Sequence, residues 1–301
     1  MKQHDDKKVN FLYFLLFAGW KLWSFMPLQV MYGFSDGLFY LFYYLIRYRR
    51  NITRKNLCES FPEKNVREIQ KIEKRFYRFF LDMVFETCKM ASISPKGISN
   101  RMKFTNLEAI KSILKQEKSI SLYLGHYGNW EWVSSLPLHL DKKTDVIAGQ
   151  IYRKLNNKAI NQLLLQNRGR MGALCIEMKE APRRINEFVG NKKVTIVGYI
   201  ADQSPKKRFI RHFTPFFNHH TPVLVGSEKI TKHYGFEAWY LHIKRLKRGY
   251  YEATFVPLHE NPPSLPDFEL TDIFYRHLEE TIRTQPELYL WTHNRFKYAK
   301  K

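Results

Sequence analysis

Apolar residues in the first two thirds of the chain follow two different spacings. Between residues 63 and 92 they recur every three or four positions, which predicts one long amphipathic helix with its apolar stripe in the core. Four later stretches are short and almost continuously apolar, which is typical of strands buried on both faces: residues 118–125, 144–150, 173–177 and 193–200. Helical spacing returns at 154–167 and 179–190, so we predict an α/β fold with a mostly parallel sheet flanked by helices.

The last third of the chain adds two strands and a helix to this pattern. Residues 236–244 and 250–258 resemble strands on either side of the basic turn RLKRG, and residues 271–285 have helical spacing. At 301 residues the chain can bury one sizeable core, and no linker divides the residues after about 60. We therefore expect one domain over residues 51–301, preceded by a separate hydrophobic segment over residues 1–50.

Residues 1–50 have the composition of a segment that contacts a membrane. Of the 47 aromatic residues, 15 lie between Phe11 and Tyr48, and aromatic side chains collect at the membrane–water interface. Lys21 interrupts the apolar run, so its longest uncharged piece, residues 22–35, is shorter than the roughly 18 to 20 residues of a spanning helix. A single tilted span, helices lying in the membrane plane and an aromatic core helix all fit this pattern. We interpret the segment as a membrane-anchoring one, because the basic stretch RYRRNITRK that follows suits an anionic cytoplasmic leaflet.

The charge of the chain indicates anionic partners. Fifty Lys and Arg against 28 Asp and Glu give a formal net charge of +22, which suits nucleic acid, a membrane surface, a phosphorylated lipid or an acidic protein. The N-terminal aromatic cluster favours a membrane over nucleic acid. Three widely spaced cysteines favour a reducing, cytosolic side, and no nucleotide-binding glycine motif or metal-ligand spacing occurs, so we expect no nucleotide cofactor and no metal.

The stretch LYLGHYGNWEW contains the strongest candidate site. His126 follows the predicted strand at 118–125, and parallel sheets carry their chemistry at the carboxyl ends of strands. Glu131 is five residues further on, so only a bend can bring the two side chains together, and Gly128 allows one. With Asn129 as the cap of a following helix, Glu131 is expected to fold back onto one imidazole nitrogen while the other faces a substrate hydroxyl. A His–Glu pair that merely stabilises the strand end fits the spacing equally well.

Several stretches occur together in an order that resembles a known family. They are HYGNWE at 126–131, IYRKLNN and NRGRMG within 151–172, GYIADQSPKKR and TPFFN within 198–218, and PELYLWTHNRFK at 286–297. In this order the chain resembles the lauroyl and myristoyl acyltransferases of lipid A biosynthesis, within the wider lysophospholipid acyltransferase group. The resemblance covers nearly the whole chain, including the hydrophobic N-terminus.

The resemblance implies a membrane-associated O-acyltransferase. Such an enzyme would move a fatty acyl chain from a thioester to a hydroxyl of a lipid A precursor, or of another anionic lipid, at the cytoplasmic face of the inner membrane. Acyl carrier protein or coenzyme A would be the co-substrate, with no other cofactor, and the charge of +22 favours the acidic carrier protein. Residues 51–301 would then form the acyltransferase domain.

The resemblance also assigns roles to individual residues. His126 would be the general base and Glu131 its orienting partner. Four further residues match basic and polar positions of the family and would contact substrate: Arg168, Arg170, Asp202 and Gln203. Guanidinium groups bind oxyanions with two hydrogen bonds, although a solvated helix end would explain the arginines, and a capping role the Asp-Gln pair.

One departure from the family leaves the acceptor open. The family often places a second acid after the Asp-Gln pair, whereas this chain continues with Ser204 and a basic run. A lysophospholipid or aminolipid acyltransferase with the same base is therefore an alternative. A basic, membrane-docked binding protein without enzymatic activity is another.

Overall fold

A seven-stranded sheet lies at the centre of the fold in the computed structural model, which describes residues 14, 16–141 and 145–300. The described strands are β1 (Met102–Thr105), β2 (Ile120–Leu124), β3 (Val146–Tyr152), β4 (Leu174–Glu177), β5 (Val194–Ile200), β6 (His212–Phe216), β7 (His219–Val223), β8 (Glu237–Lys247) and β9 (Tyr250–His259). The main sheet has the order β1-β9-β8-β2-β5-β3-β4, and β6 and β7 form a separate hairpin.

Helices cover the sheet. They are α1 (Leu28–Tyr40), α2 (Arg50–Ser60), α3 (Val66–Lys89), α4 (Pro95–Ser99), α5 (Leu107–Lys115), α6 (Lys158–Gly169), α7 (Ala181–Gly190), α8 (Gly226–Tyr234) and α9 (Glu269–Thr284). A π-helical turn at Leu41–Leu45 continues α1. Short 3-10 helices lie at Trp132–His139, Lys207–Phe209, Pro262–Ser264 and Pro286–Leu288.

The mostly parallel α/β architecture predicted from the sequence is confirmed. Each predicted strand corresponds to an observed one, and every strand pair of the main sheet is parallel except β8 with β9. That pair is the hairpin around the basic turn, where Gly249 has φ +72° and a Cβ would collide with the Tyr32 hydroxyl. Sequence spacing did not reveal β1, β6 and β7, because strands of four or five residues with mixed burial carry little periodicity.

Helix α3 is the long amphipathic helix that the spacing predicts. Asn65 begins it with a capping box: its side chain accepts a hydrogen bond from the Glu68 amide, and the Glu68 carboxylate accepts one from the Asn65 amide. Its apolar stripe, including Ile69, Phe76 and Met83, is buried. Three acidic residues of this helix, Glu73, Asp82 and Glu86, are buried as well, and each contacts a residue of the N-terminal segment.

The aromatic residues of the N-terminal segment divide between the core and the surface. Met31, Phe39 and Tyr43 are buried in the same core cluster as α3, and Ser35 and Tyr32 donate hydrogen bonds to Asp82 and Glu86. Other large apolar side chains of the segment are exposed, and we call them together the N-terminal apolar surface: Leu22, Phe25, Phe34, Tyr44, Leu45 and Ile46. The predicted domain boundary at residue 50 stays a prediction.

Within the part of the chain that the structure describes, no helix has the length and apolarity needed to cross a membrane. Residues 1–13 and 15 of the predicted anchor lie outside the described residues.

The packing of α1 predicts unequal effects of two phenylalanine substitutions on the same helix. Phe39 is 2% exposed and Phe34 is 48% exposed. Truncating the buried ring leaves a cavity, so Phe39→Ala should lower the free energy of unfolding by about 3 to 5 kcal/mol, and Phe34→Ala by less than half as much. Thermal and denaturant melts of both variants test this. Equal, small effects would mean that α1 is not part of the core.

Candidate active site

His126 and Asp202 meet because their strands are parallel neighbours. Leu124 of β2 pairs with Ile200 of β5, so the residues two positions beyond each strand emerge together at the carboxyl edge of the sheet. His126 Nδ1 lies 2.6 Å from Asp202 Oδ1. The imidazole is 19% exposed, whereas the carboxylate is only 2% exposed. The pair therefore joins a buried anion to a ring that reaches solvent.

The surroundings of Asp202 keep it ionised. Burial raises the pKa of the Asp202 carboxyl, but the hydrogen bond from His126, the charge of its ring when protonated and the guanidinium of Arg295 together lower it by more, so the pKa lies below its ordinary value of 3.8. Because the folded-state pKa is depressed, the stabilisation from this carboxylate is present at neutral pH. It is lost only as the pH falls through that lowered value.

This hydrogen bond sets the chemistry of the imidazole. With a proton on Nδ1 shared with the carboxylate, neutral His126 carries its lone pair on Nε2. The side-chain amide nitrogen of Gln203 lies 3.2 Å from Nε2, and the Trp130 ring packs edge-on at 5.2 Å between centroids. A substrate hydroxyl can reach the lone pair by replacing the Gln203 amide.

The loop around His126 is fastened to the C-terminal segment of the chain. The Leu290 amide donates to the His126 carbonyl, and the Gly128 amide donates to the Leu288 carbonyl, both at 3.0 Å. Gly128 has φ +60°, and a Cβ there would lie 2.6 Å from a methyl carbon of Ile243. The predicted bend is confirmed, and only glycine fits it because both the conformation and the space exclude a side chain.

The predicted contact between Glu131 and His126 is wrong. The Glu131 carboxylate instead accepts two hydrogen bonds from the Arg168 guanidinium, at 2.8 and 2.6 Å. The predicted α-helix beginning at Trp130 is wrong as well: a 3-10 helix begins at Trp132 with Glu131 as its cap, and the Asn129 side chain accepts a hydrogen bond from the Trp132 amide. The bend thus directs Glu131 toward the last turn of α6, where Arg168 lies. The neighbouring strand, β5, supplies the partner of His126.

The other predicted site residues separate into two groups. Asp202 and Gln203 contact His126, so Asp202 acts on the imidazole and is too buried to bind substrate. Arg170 donates to the carbonyls of Met90 and Ile93. It lines a separate cavity of about 500 Å³ beside Trp20 and Lys21. The substrate-binding roles of Arg168 and Arg170 stay predictions.

Two residues of the C-terminal THNRF stretch belong to the site but were not assigned from the sequence. His293 Nε2 accepts a hydrogen bond from the Ser204 amide at 3.2 Å. Burial, opposed by Asp202 and assisted by nearby cations, lowers its pKa to about 4, so His293 is neutral at pH 7. Arg295, 1% exposed, donates to the Ser204 and Tyr275 hydroxyls. The signal available was the motif itself, which places a histidine and an arginine two residues apart.

Among the described residues no group of three or more His, Cys, Asp or Glu side chains is arranged to hold a metal ion. At the sheet edge a partly exposed histidine is oriented by a buried carboxylate, and this arrangement can act as a general base when the Gln203 amide leaves the second nitrogen.

The chain matches one protein family over almost its full length. The model of the family described as "Bacterial lipid A biosynthesis acyltransferase" matches residues 1–298. A comparison with curated proteins found no match. The matched range contains the His126 loop, Asp202 and the C-terminal THNRF stretch. The chain therefore belongs to the bacterial lipid A biosynthesis acyltransferase family.

Proposed function

We propose that this acyltransferase moves a fatty acyl chain from the thioester of an acyl carrier protein to a hydroxyl of a lipid A precursor, with His126 as the general base. The observation that carries the proposal is the 2.6 Å contact between His126 Nδ1 and buried Asp202, which leaves the lone pair on Nε2, where a hydroxyl can replace the Gln203 amide. Family membership supports acyl transfer in lipid A biosynthesis.

In the proposed reaction the base moves one proton from the acceptor to the leaving thiol. His126 Nε2 takes the proton of the lipid hydroxyl while its oxygen attacks the thioester carbonyl. The tetrahedral intermediate then collapses, the carbon–sulfur bond breaks, and the imidazolium returns the proton to the thiolate. Asp202 stabilises the imidazolium between these steps, since its carboxylate is ionised and accepts a hydrogen bond from Nδ1–H. The products are an ester and a free thiol.

The Glu131–Arg168 pair has a supporting place in this proposal. Glu131 occupies Nε and one Nη nitrogen of the guanidinium, which holds the end of α6 against the His126 loop. Arg168 is the better candidate for contact with a phosphate or acyl oxygen, because Arg170 donates to two backbone carbonyls away from His126. A lysophospholipid or aminolipid acceptor would use the same base.

Asp202, rather than Glu131, should determine the tautomer of His126 and therefore the rate of transfer. His126→Ala should lower turnover by about 10² to 10⁴, the usual contribution of a general base. Asp202→Asn should lower it by a similar factor, because an amide can donate to Nδ1 and so stabilise the wrong tautomer. Single-turnover rates with a carrier thioester and a lipid A precursor, corrected for the folded fraction, measure both effects.

Glu131→Gln is the matched control for Asp202→Asn. It removes the charge of the other acidic residue near His126 and keeps one side-chain oxygen that can accept a hydrogen bond from Arg168. Glu131→Gln should therefore lower turnover by a smaller factor than Asp202→Asn. The assignment of partners fails if Glu131→Gln abolishes turnover while folded Asp202→Asn protein keeps it. A folded His126→Ala variant that turns over normally contradicts the acyltransferase mechanism itself.

Exposed cations beside the site support an acidic carrier protein as the donor. Lys206, Lys207 and Arg208 follow Gln203 within five residues and are exposed, as is Phe209 between them and β6. An apolar side chain among cations suits docking of an acidic protein. The positive charges attract the acidic partner, and the Phe209 ring supplies apolar surface that can be buried in the interface. Carrier docking here would bring the thioester to the edge of the sheet where His126 lies.

Charge reversal on this segment should weaken use of the carrier. Lys206→Glu with Lys207→Glu should raise KM for the carrier thioester roughly tenfold at low salt, with a smaller ratio above about 0.15 M salt. Turnover with a coenzyme A thioester should change little. The control is Lys115→Glu with Lys192→Glu. Both lysines are exposed and lie near the amino ends of β2 and β5, away from the carboxyl ends where His126 lies. Equal effects of the two pairs would exclude a local docking site.

The N-terminal apolar surface supports association with the cytoplasmic face of the inner membrane. Leu45 is 76% exposed and Ile46 is 53% exposed. They precede Arg47 and Arg49, which are exposed cations suited to anionic lipid. Arg49 donates to the Thr292 carbonyl at 3.1 Å, beside His293, so this surface adjoins the site. A lipid acceptor can then reach the base from the membrane.

Polar substitution of this surface should release the protein from membranes. Leu45→Ser with Ile46→Ser should lower partitioning into vesicles containing anionic phospholipid roughly tenfold or more, given about 1.5 kcal/mol for each apolar side chain buried. Met178→Ser with Val189→Ser is the control, because both side chains are partly exposed at the far edge of the sheet. Vesicle sedimentation measures the difference. Unchanged partitioning of the first variant contradicts docking through this surface.

A further inference from the structure

A buried carboxylate lies beneath the loop that carries His126. Glu86 of α3 is completely buried and accepts hydrogen bonds from three separate parts of the chain. The Tyr32 hydroxyl of α1 donates to Oε1 at 2.8 Å, the Tyr251 hydroxyl of β9 donates to Oε2 at 2.7 Å, and Asn129 Nδ2 donates to Oε2 at 2.6 Å. One side chain thus connects a helix, a strand and the site loop.

The loop is attached to Glu86 at two points. Asn129 is also fully buried. Its amide nitrogen donates to the Glu86 carboxylate, while its amide oxygen accepts the backbone N–H of Trp132 at 3.1 Å. The Trp132 indole N–H donates to the backbone carbonyl of Glu86 at 3.0 Å. These bonds hold Asn129, three residues after His126, and Trp132, the residue that follows Glu131.

The two hydrogen bonds of the Asn129 amide give it a single orientation. The backbone N–H of Trp132 can only donate, so the oxygen of the Asn129 amide must face it and the nitrogen must face the Glu86 carboxyl. Burial raises the pKa of the Glu86 carboxyl above its ordinary value, against the smaller opposing effects of the two tyrosine hydroxyls and of the charge of Arg245. A buried carboxylate is costly unless its oxygens are satisfied, and here both oxygens accept bonds.

We propose that Glu86 and Asn129 are positioning residues for the transfer reaction: Glu86 orients the Asn129 amide, and the amide sets the loop that carries His126 and Glu131. Neither side chain touches substrate, because both are fully buried. Their effect on the reaction rests on the proposed role of His126 as the base. A displacement of the imidazole by about 1 Å is enough to cost a factor of 10² in rate.

Exchanging the carboxyl group of Glu86 and the amide group of Asn129 tests the proposal without creating a cavity. Asn129→Asp places two carboxyl groups in contact and removes the amide N–H that donates to Glu86, so it should lower kcat roughly 10- to 100-fold and leave KM nearly unchanged. Glu86→Gln alone should have a smaller effect, because the amide oxygen can still accept from Asn129. Combining the two restores a donor facing an acceptor with the roles reversed, and kcat should return to within about fivefold of the wild type.

The control is Tyr32→Phe, which removes one hydrogen bond to Glu86 and leaves the contact with Asn129. It should lower the melting temperature and leave kcat near the wild-type value. A folded Asn129→Asp protein with wild-type kcat overturns the proposal. So does a double variant that regains thermal stability but not kcat, because the two residues would then contribute to folding alone.

A second readout does not depend on acyl transfer. The ring-proton chemical shifts of His126, assigned by comparison with His126→Ala, should change in Asn129→Asp at pH 7 and return in the double variant. If the wild-type protein transfers no acyl chain but these shifts follow the exchange, the proposed function fails and the positioning stands. If transfer occurs and the shifts do not follow the exchange, the positioning fails.

Discussion

The hydrogen bond between His126 and Asp202 is the interaction on which the site depends. It exists because β2 and β5 are parallel neighbours, and their register brings the carboxyl ends of both strands to the same edge of the sheet. Burial of the carboxylate keeps water away from it, while the imidazole remains partly exposed. The fold thus orients the imidazole and leaves its second nitrogen beside an amide that a substrate hydroxyl can replace, as the proposed role of general base requires.

The parts of the chain around this pair hold it in place from several directions. The C-terminal segment donates to the His126 carbonyl and supplies Arg295, whose charge helps to keep Asp202 ionised. Helix α3 holds the loop from beneath through Glu86, and α6 holds it from the side through Arg168. Buried polar groups of this kind add little stability beyond a well-packed apolar core. Their contribution here is the orientation of one loop.

Sequence reasoning located His126 but not its hydrogen-bond partner Asp202. His126 follows a clear buried strand, and the rule that chemistry collects at strand carboxyl ends pointed to it and to Asp202 separately. The order of strands cannot be read from periodicity, so nothing in the sequence indicated that β5 lies beside β2, and the nearest acid, Glu131, was chosen. Glu86 was missed for a similar reason: it lies in a helix whose apolar stripe explained the pattern, and its partners are 43 to 165 residues away.

The most direct test of this account is the tautomer of His126, measured by nitrogen NMR on protein labelled at histidine, in the wild type and in the Asp202→Asn and Glu131→Gln variants. The account predicts a proton on Nδ1 in the wild type and in Glu131→Gln, and loss of that preference in Asp202→Asn. A proton on Nε2 in the wild type, or a preference that depends on Glu131 and not on Asp202, would contradict it.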